Sequence, residues 1–561
     1  MRVRSVLSVL VALPSVLLAQ AGNPLKHEPK ATTSAITPAD LMTRLYIFAD
    51  DSMEGRESGT RGNIRGTEYI ARELQRLGLV PAGDQGTWFQ DFPLEETGLD
   101  PATVVSVDGQ ALEAGKDFLM FPPIPQLGGL GAGFAAENTP VVFGGKIGDL
   151  ANASPDAVAG KLMLMTPADG PAGWQFWARF GPAQWQRYAS AKGIIVVALD
   201  SLPEMVRGFL GGSNISMPDT SSFEAKVPVM YVTRAAAERM MGGTLAGVLP
   251  GTEGKTATAT GGFVKRPTEA PGRNVVAMVP GTDPVLKNQY VAFGAHNDHD
   301  GIHGPGEEHD SLRAYNTIIR PEGAEDMGKV GTNAQRDSVR VILDSLRRLR
   351  PARIDSVMNG ADDDGSGSMA LLELAEYFVT HPAKRSLLFV WHTAEEKGLF
   401  GSEWYSDHPT VPRDSIVAQL NMDMIGRGTA ADTKGGGPGY LQLIGSRRLS
   451  TQLGDLVEGV NDAGKHGFTF DYQYDANGHP QQYYCRSDHY NYARYGIPIV
   501  FFSTGSHRDY HMVTDEPQYI DYDKYSRVVN FVMDVGRTVA DRAERVLVDQ
   551  PRPDPRGQCV Q

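Results

Sequence analysis

The sequence predicts an α/β protein with a mixed, mostly parallel central sheet flanked by helices and a β-rich domain inserted into it. Short apolar runs rich in β-branched and aromatic residues, Ser386 to His392 above all, have the composition of buried parallel strands. Most are followed by a stretch whose apolar residues recur at helical spacing, as in Leu371, Leu374, Ala375 and Phe378, and such alternation builds parallel sheets. From about Pro101 to Arg266 the texture changes to short alternating or apolar runs between Gly/Pro turns, which predicts a separate β-rich module with its own small core.

Length and charge bound the function. With 561 residues, 21% of them charged, and a net charge of −14, the chain has the composition of a soluble globular protein of about two or three domains. The acidic balance argues against nucleic acid or an anionic membrane as partner. Met1-Arg2-Val3-Arg4, the apolar run Val6 to Leu18 and the small-residue site Ala19-Gln20-Ala21 form a secretory signal over residues 1–21. That run is too short for a mature membrane span, and no other segment is long and apolar enough. The mature chain is expected to be exported, to periplasm or medium. Cys485 and Cys559 are its two cysteines, and one disulfide or two thiols are equally open from sequence.

In chain order, residues 22 to about 40 are a polar leader, Ala39 to Phe48 is amphipathic, and a Gly-rich loop from Asp50 to Thr60 precedes a helix from about Gly66 to Leu77. Residues 22–100 thus form the N-terminal part of the larger domain, 101–266 the insert, 267–548 the remainder and 549–561 a tail. Within the insert, Lys161 to Met165, Gly193 to Ala198 and Val227 to Val232 are strand-like and Ala235 to Met241 is helical, with no cluster of His, Cys or acids. Asn274 to Val279 and Gln289 to Phe293 are expected to be paired or adjacent strands around the turn Pro280-Gly281-Thr282-Asp283. Residues 302 to 359 are irregular and charged, with one helical piece around Gln335 to Leu349. Further strands are expected over Ile416 to Leu420, Tyr440 to Ile444 and Ile497 to Phe502, and helices from Ser450 to Ala463, at Ser487-Asp488-His489 and from Asp523 to Val546.

The polar residues at the ends of these strands carry the chemistry. Gly294-Ala295-His296-Asn297-Asp298 closes one strand with a histidine and, two residues on, an acid able to accept the other ring N–H. Asp362-Asp363-Asp364 precedes a helix; one acid can cap it, but three adjacent carboxylates call for a dication. Glu395 and Glu396 follow Ser386 to His392, and adjacent acids near an apolar strand end repel unless a cation lies between them or one takes a proton. Asp423 ends another strand, and His507 and His511 follow the last. Parallel sheets gather such ends at one edge, where open α/β sheets place their ligands. Histidines with several carboxylates suit a pair of Zn²⁺ ions better than an all-oxygen Ca²⁺ or Mg²⁺ cage. Two such ions can hold a hydroxide at neutral pH and polarise a carbonyl, while a Glu outside the ligand set serves as base: amide hydrolysis without a covalent intermediate.

Gly294-Ala295-His296, Asp363-Asp364-Gly365-Ser366-Gly367, Glu395-Glu396-Lys397-Gly398-Leu399-Phe400-Gly401-Ser402, Asn421-Met422-Asp423 and Tyr510-His511 together resemble the ordered motif set of the M28 family of co-catalytic zinc peptidases, mostly aminopeptidases. The resemblance implies the zinc-peptidase, phosphorylase/hydrolase-like fold and two Zn²⁺ per chain. It implies His296 and Asp423 on one zinc, Glu396 and His511 on the other, Asp363 bridging, Glu395 as general base, and Asp298, Asp364 and Asp515 supporting the ligands. It also implies a cis peptide after Asp363, and the insert is similar to a protease-associated domain. The expected activity is that of an exported aminopeptidase acting on peptides. The alternatives are a carboxypeptidase or dipeptidase of the same family, which needs a cation such as Arg427, Arg486 or Arg508 in the pocket; a non-catalytic binding ectodomain, which would lack a ligand or the base; and a cyclising acyltransferase on the same fold, which would keep one metal. The 67 positions from His296 to Asp363 are more than the family leads one to expect. They form either a surface insertion or a substrate-selecting lid, with His299, His303 and His309 as accessory ligand candidates.

Overall fold

The computed structural model describes residues 23–123, 130–170, 175, 186–212, 214–218 and 226–561, so the expected signal over residues 1–21 lies outside the described residues. The chain divides into two compact units, Leu94–Thr268 and the combination of Met1–Pro93 with Glu269–Gln561. Among the described residues no helix is long and apolar enough to cross a membrane.

The smaller unit is built on an eight-stranded mixed sheet in which Phe134–Lys146, Leu162–Thr166, Gly193–Val197 and Val229–Val232 run side by side. These strands are apolar on both sides, so each face carries its own core: Met163, Ile194 and Tyr231 on one, Leu164, Ile195 and Met230 on the other.

The larger unit opens with α1 (Pro38–Phe48), whose N-cap Thr37 accepts a hydrogen bond from the Asp40 N–H, and α2 (Arg61–Leu77), closed by Gly78 in the left-handed conformation. Two short strands follow, β1 (Val80–Pro81) and β2 (Phe89–Phe92), then β3 (Gly272–Val279) and β4 (Tyr290–His296). Next come β5 (Gly301–Glu308), α3 (His309–Ile318), α4 (Asn333–Arg347) and β6 (Ile354–Met358), and after them α5 (Gly365–Thr380), β7 (Ser386–His392), α6 (Phe400–Asp407) and β8 (Ile416–Met422). The rest comprises β9 (Tyr440–Ile444), α7 (Thr451–Gly464), β10 (Thr469–Asp471), α8 (His489–Ala493), β11 (Ile499–Ser503) and α9 (Tyr522–Asp541). The sheet order is β1-β3-β7-β4-β8-β11-β9-β10, with β2 also on β3. Its centre, β7-β4-β8-β11, is parallel and its flanks are largely antiparallel. Helices α1, α5 and α9 bury Leu45, Leu371, Phe378, Val528 and Phe531 in one core with Phe293, Phe389 and Leu420 from the sheet.

Two expectations are corrected. Strands β3 and β4 are not neighbours, because β7 lies between them, antiparallel to β3 and parallel to β4. The turn at Pro280-Gly281 fixes only local geometry, and the connection is long enough to include a 3₁₀ turn at Leu286–Asn288 and to step over β7, with the Gly281 N–H donating to Ser386 Oγ. Residues 302–359 are not irregular apart from one helix: β5 and β6 pair antiparallel and α3 and α4 share the small core Ala314, Ile319, Val339 and Ile342. Strand β5, GIHGPGEE, has no period-two apolar pattern because most of it is exposed, so nothing in its composition marks it as a strand.

Candidate metal centre

Parallel register brings the chemistry to one edge. His296, the last residue of β4, is paired with His392 at the end of β7, and Gly294 with Asn421 near the end of β8. Glu395 and Glu396 lie just past β7, Asp423 just past β8, Asp363 just before α5, and His511 in the loop after β11. Three of these turns use a left-handed backbone at a residue other than glycine: Ala394 (φ 63°), Met424 (φ 60°) and His511 itself (φ 50°). Held conformations of that kind concentrate where side chains must be aimed. The peptide bond between Asp363 and Asp364 is cis.

Asp363 stands at the centre. Its Oδ1 is 3.1 Å from His296 Nε2 and its Oδ2 is 3.2 Å from His511 Nε2, so one carboxylate faces both histidines with different oxygens. Asp423 Oδ1 lies 3.7 Å from His296 Nε2, and Glu396 Oε2 lies 3.3 Å from His511 Nε2. All five residues expected as ligands therefore converge, and Glu395 opens into the same cavity.

The groups behind them hold this set in place. The main-chain carbonyl of Asp298 accepts from His296 Nδ1 at 3.1 Å. The sequence suggested its carboxylate for that role, but Oδ1 is 3.7 Å away and instead accepts from the Glu395 N–H, while Oδ2 accepts from Ser58 Oγ. Asp364 accepts from the N–H groups of His296, Gly367 and Met424, which ties α5 to the ends of β4 and β8. A side chain at Gly367 would meet the Met422 carbonyl and the Asp364 carboxylate, so this tie requires glycine. Asp515 Oδ2 accepts from the N–H groups of Asp362 and Asp363. Asp362 turns away, accepting from the Gly426 N–H and facing His507 at 3.2 Å.

Four further residues, to which the sequence gave no role, touch the ligands, their partners or the turns that carry them. Ser487 Oγ donates to Asp423 Oδ2 (2.7 Å), Asp300 Oδ2 accepts from His511 Nδ1 (2.7 Å), Lys397 Nζ is 3.5 Å from Asp300 Oδ1, and the buried Arg56 donates to the carbonyls of Asn297, Asn359 and Gly360. Of the accessory histidines, only His299 reaches the site, donating from Nδ1 to Glu396 Oε1 at 2.6 Å. His303 is exposed and bonds the Asp300 carbonyl, and His309 is paired with Glu516 and Asp310.

The electrostatics ask for a cation. Burial first, then mutual repulsion, raises Glu395, Glu396, Asp423 and Asp364 above the ordinary carboxylate range. Burial alone would lower His296 and His511, but the carboxylates around them outweigh it and hold both well above the usual imidazole value. Both rings commit Nδ1–H to an oxygen, which leaves the Nε2 lone pair as the atom facing the acids in the neutral tautomer. Acceptor would then face acceptor at 3.1–3.7 Å. Ligand atoms about 2.0 Å from a tetrahedral zinc lie about 3.3 Å apart, and the donor set of imidazole and carboxylate is one that zinc takes, so the residues fit that ion.

Beside these groups lies a cavity of about 390 Å³ whose walls include Met424, Tyr483, Arg486, Phe501 and Tyr510. Of the three arginines the sequence offered for a carboxylate, Arg427 is buried and paired with Asp432 and Asp509, and Arg508 is engaged by Thr317 and the Ala431 carbonyl. Arg486 lines the cavity, with its guanidinium 2.7 Å from Glu325 and donating to Tyr510 Oη.

Residues 274–535 match the family model described as peptidase family M28. The chain is 30% identical over 161 residues to a leupeptin-inactivating enzyme of Streptomyces exfoliatus, covering 28% of this chain and 32% of that one. It is 26% identical over 204 residues to leucine aminopeptidase 1 of Aspergillus fumigatus, covering 34% and 47%. The chain thus spans less than half the length of either curated relative. A zinc aminopeptidase of Bacillus subtilis shares the fold with a TM-score of 0.50 at 15% identity, over 93% of this chain and all of the other.

Proposed function

Because residues 274–535 belong to peptidase family M28, we propose that the chain is an exported two-zinc exopeptidase that removes N-terminal residues from peptides. One observation carries the reading: Asp363 divides its two carboxylate oxygens between His296 and His511, the arrangement of a ligand shared by two metals. His296 and Asp423 would complete one position, and His511 and Glu396 the other. Zinc bound there supplies a water acidified to near neutral pKa and an electrophile for the scissile carbonyl.

The remaining work falls to the chain's own residues. Glu395 reaches no cation of the protein at ion-pair distance among the described residues, and burial raises its carboxyl. In this reading it would take a proton from the attacking water and return it to the leaving amine; its backbone N–H donates to Asp298 Oδ1. The cavity walls at Met424, Tyr483 and Phe501 would take up an apolar side chain of the substrate. The carboxypeptidase alternative relies on Arg486, whose charge is already met by Glu325. Export is supported by the sequence of residues 1–21 and by a Cys485–Cys559 disulfide, a bond that persists in oxidising compartments. The Leu94–Thr268 unit suits the protease-associated module that the sequence resembles; no His/Cys/acid cluster of metal-binding type is found among its described residues.

The test is metal content by plasma mass spectrometry together with p-nitroaniline release from aminoacyl substrates. About two zincs per chain, activity abolished by chelation and restored by Zn²⁺, and a kcat loss of about 10²–10⁴-fold in Glu395→Gln with both metals retained are expected. Two zincs with cleavage only of substrates bearing a free C-terminus would transfer the assignment to a carboxypeptidase. No zinc under any loading condition would end the hydrolase reading.

A further inference from the structure

The two halves of the metal centre are supported differently, and the difference lies in two consecutive residues. On the His296/Asp423 side the backing comes from the Asp298 carbonyl and from Ser487. On the other side, His299 Nδ1 donates to Glu396 Oε1 at 2.6 Å, which leaves Oε2 turned to His511 Nε2, and Asp300 Oδ2 accepts from His511 Nδ1 at 2.7 Å, which leaves that Nε2 turned to Glu396 and Asp363. Neighbouring residues thus grip the far ends of both ligands of one position.

The grip is rigid. His299 is fully buried, its N–H donates to the Arg56 carbonyl, and its ring lies against Gly360, where an added Cβ would come 2.5 Å from it. Gly360 also has φ +50°, so the space for this ring depends on a glycine. Asp300 is held from its other oxygen by Lys397 at 3.5 Å, and Lys397 is held in turn by Glu57 at 3.0 Å. Lys397 directly follows Glu396, so the ligand strand end and the Asp300 carboxylate are tied together a second time.

We infer that His299 and Asp300 are a positioning pair dedicated to the Glu396/His511 position, setting its metal affinity without affecting the His296/Asp423 position. A carboxylate fixed through one oxygen and an imidazole fixed through Nδ1 present their free atoms with little remaining freedom, and loss of such outer partners typically weakens a metal site about 10–100-fold. His299 acts here as a positioning residue: its Nδ1 stands 2.6 Å from Glu396 Oε1, a hydrogen-bond distance and closer than the about 3.3 Å between two ligand atoms of one tetrahedral zinc.

The inference rests on the two-zinc reading, and one experiment separates their failures. The metal-stripped full chain is titrated with Zn²⁺ against a fluorescent chelator, alongside thermal melting of the stripped proteins to establish that each variant folds. The wild type is expected to fill in two steps. His299→Ala and Asp300→Ala should weaken one step about 10–100-fold and leave the other unchanged. His299→Asn, which keeps an N–H where Nδ1 stood, should restore the weakened step, and His299→Gln, whose amide falls where Nε2 stood, should not. Two wild-type steps that both survive in the variants, both weaken alike, or are rescued by Gln rather than Asn would overturn the inference alone. A wild type that takes up fewer than two zincs would overturn the underlying reading and the inference with it.

Discussion

At the residue scale, Arg56 shows what the motifs conceal. Its fully buried guanidinium donates to four carbonyls, those of Phe48 (2.9 Å), Asn297 (3.2 Å), Asn359 (2.7 Å) and Gly360 (3.0 Å), and so joins α1, the residue after His296 and the turn leading to Asp363. Each buried carbonyl left without a donor costs about 1–3 kcal/mol. The Gly360 carbonyl keeps the Gly365 N–H, so three carbonyls lose their donor; Arg56→Met should therefore lower the unfolding free energy by at least about 3 kcal/mol, and Arg56→Lys, a point charge without the planar fork, should recover only part of it. Urea unfolding at saturating zinc measures both, and a loss below about 1 kcal/mol in the Met variant would show that water replaces the guanidinium. The residues that converge on the cavity are identifiable from the sequence because His and paired acids are chemically restricted types and most of them follow an apolar run. Their supports are not: Asp300 meets His511 across 211 positions, Ser487 meets Asp423 across 64, and a Ser or Asp in a loop has many other uses.

At the element scale, strands and helices with a clear apolar period are found close to their expected bounds, Tyr440–Ile444 and Ser386–His392 among them. Helix α2 instead begins at Arg61, before its apolar face starts, because the N-terminal turn is polar. Strand β5 and helix α3 escape notice because their burial is slight or polar; His309, Asp310 and Arg313 lie inside through ion pairs rather than through apolar contact. Short α8 carries a consequence for pH. His489 is fully buried, stacked 4.7 Å from Phe501, and burial pushes its imidazole down to about 3. The folded value is below the unfolded one, near 6.5, so on acidification the unfolded chain takes the proton first. Stability from this residue is complete above pH 6.5 and is lost progressively towards pH 3, about 2 kcal/mol of it by pH 5. His489→Phe should reduce the stability difference between pH 7 and pH 5 by that amount in paired urea titrations. An unchanged difference would place the acid sensitivity in other groups.

At the scale of the whole molecule, the inference that succeeds from sequence is topological: parallel strands share an edge, so residues at successive strand ends meet there. The order of strands is not accessible in the same way, since the long connection from β3 allows β7 to enter between β3 and β4. Long-range closure by the last residues is equally hidden. The Cys485–Cys559 disulfide ties residues 549–561 beneath the cavity wall, where Gln561 also accepts from the Tyr484 N–H and donates to the carbonyls of Tyr474 and Ala476. Tyr483, Cys485, Arg486 and Ser487 line the cavity, Tyr483 stacks on Tyr474 at 4.9 Å, and Ser487 holds Asp423. The bond closes a loop of 74 positions, and its removal should cost about 2–5 kcal/mol of global stability. Because the loosened segment lines the cavity proposed for the substrate, Cys559→Ser should also raise KM for aminoacyl substrates more than it lowers kcat, since uniform binding would be lost while Glu395, proposed as base, lies outside that segment. A steady-state comparison with zinc content held equal decides the point: lowered stability with KM unchanged would confine the disulfide to holding the fold, whereas a KM rise reproduced in wild type by mild reduction would make the substrate wall depend on the tail.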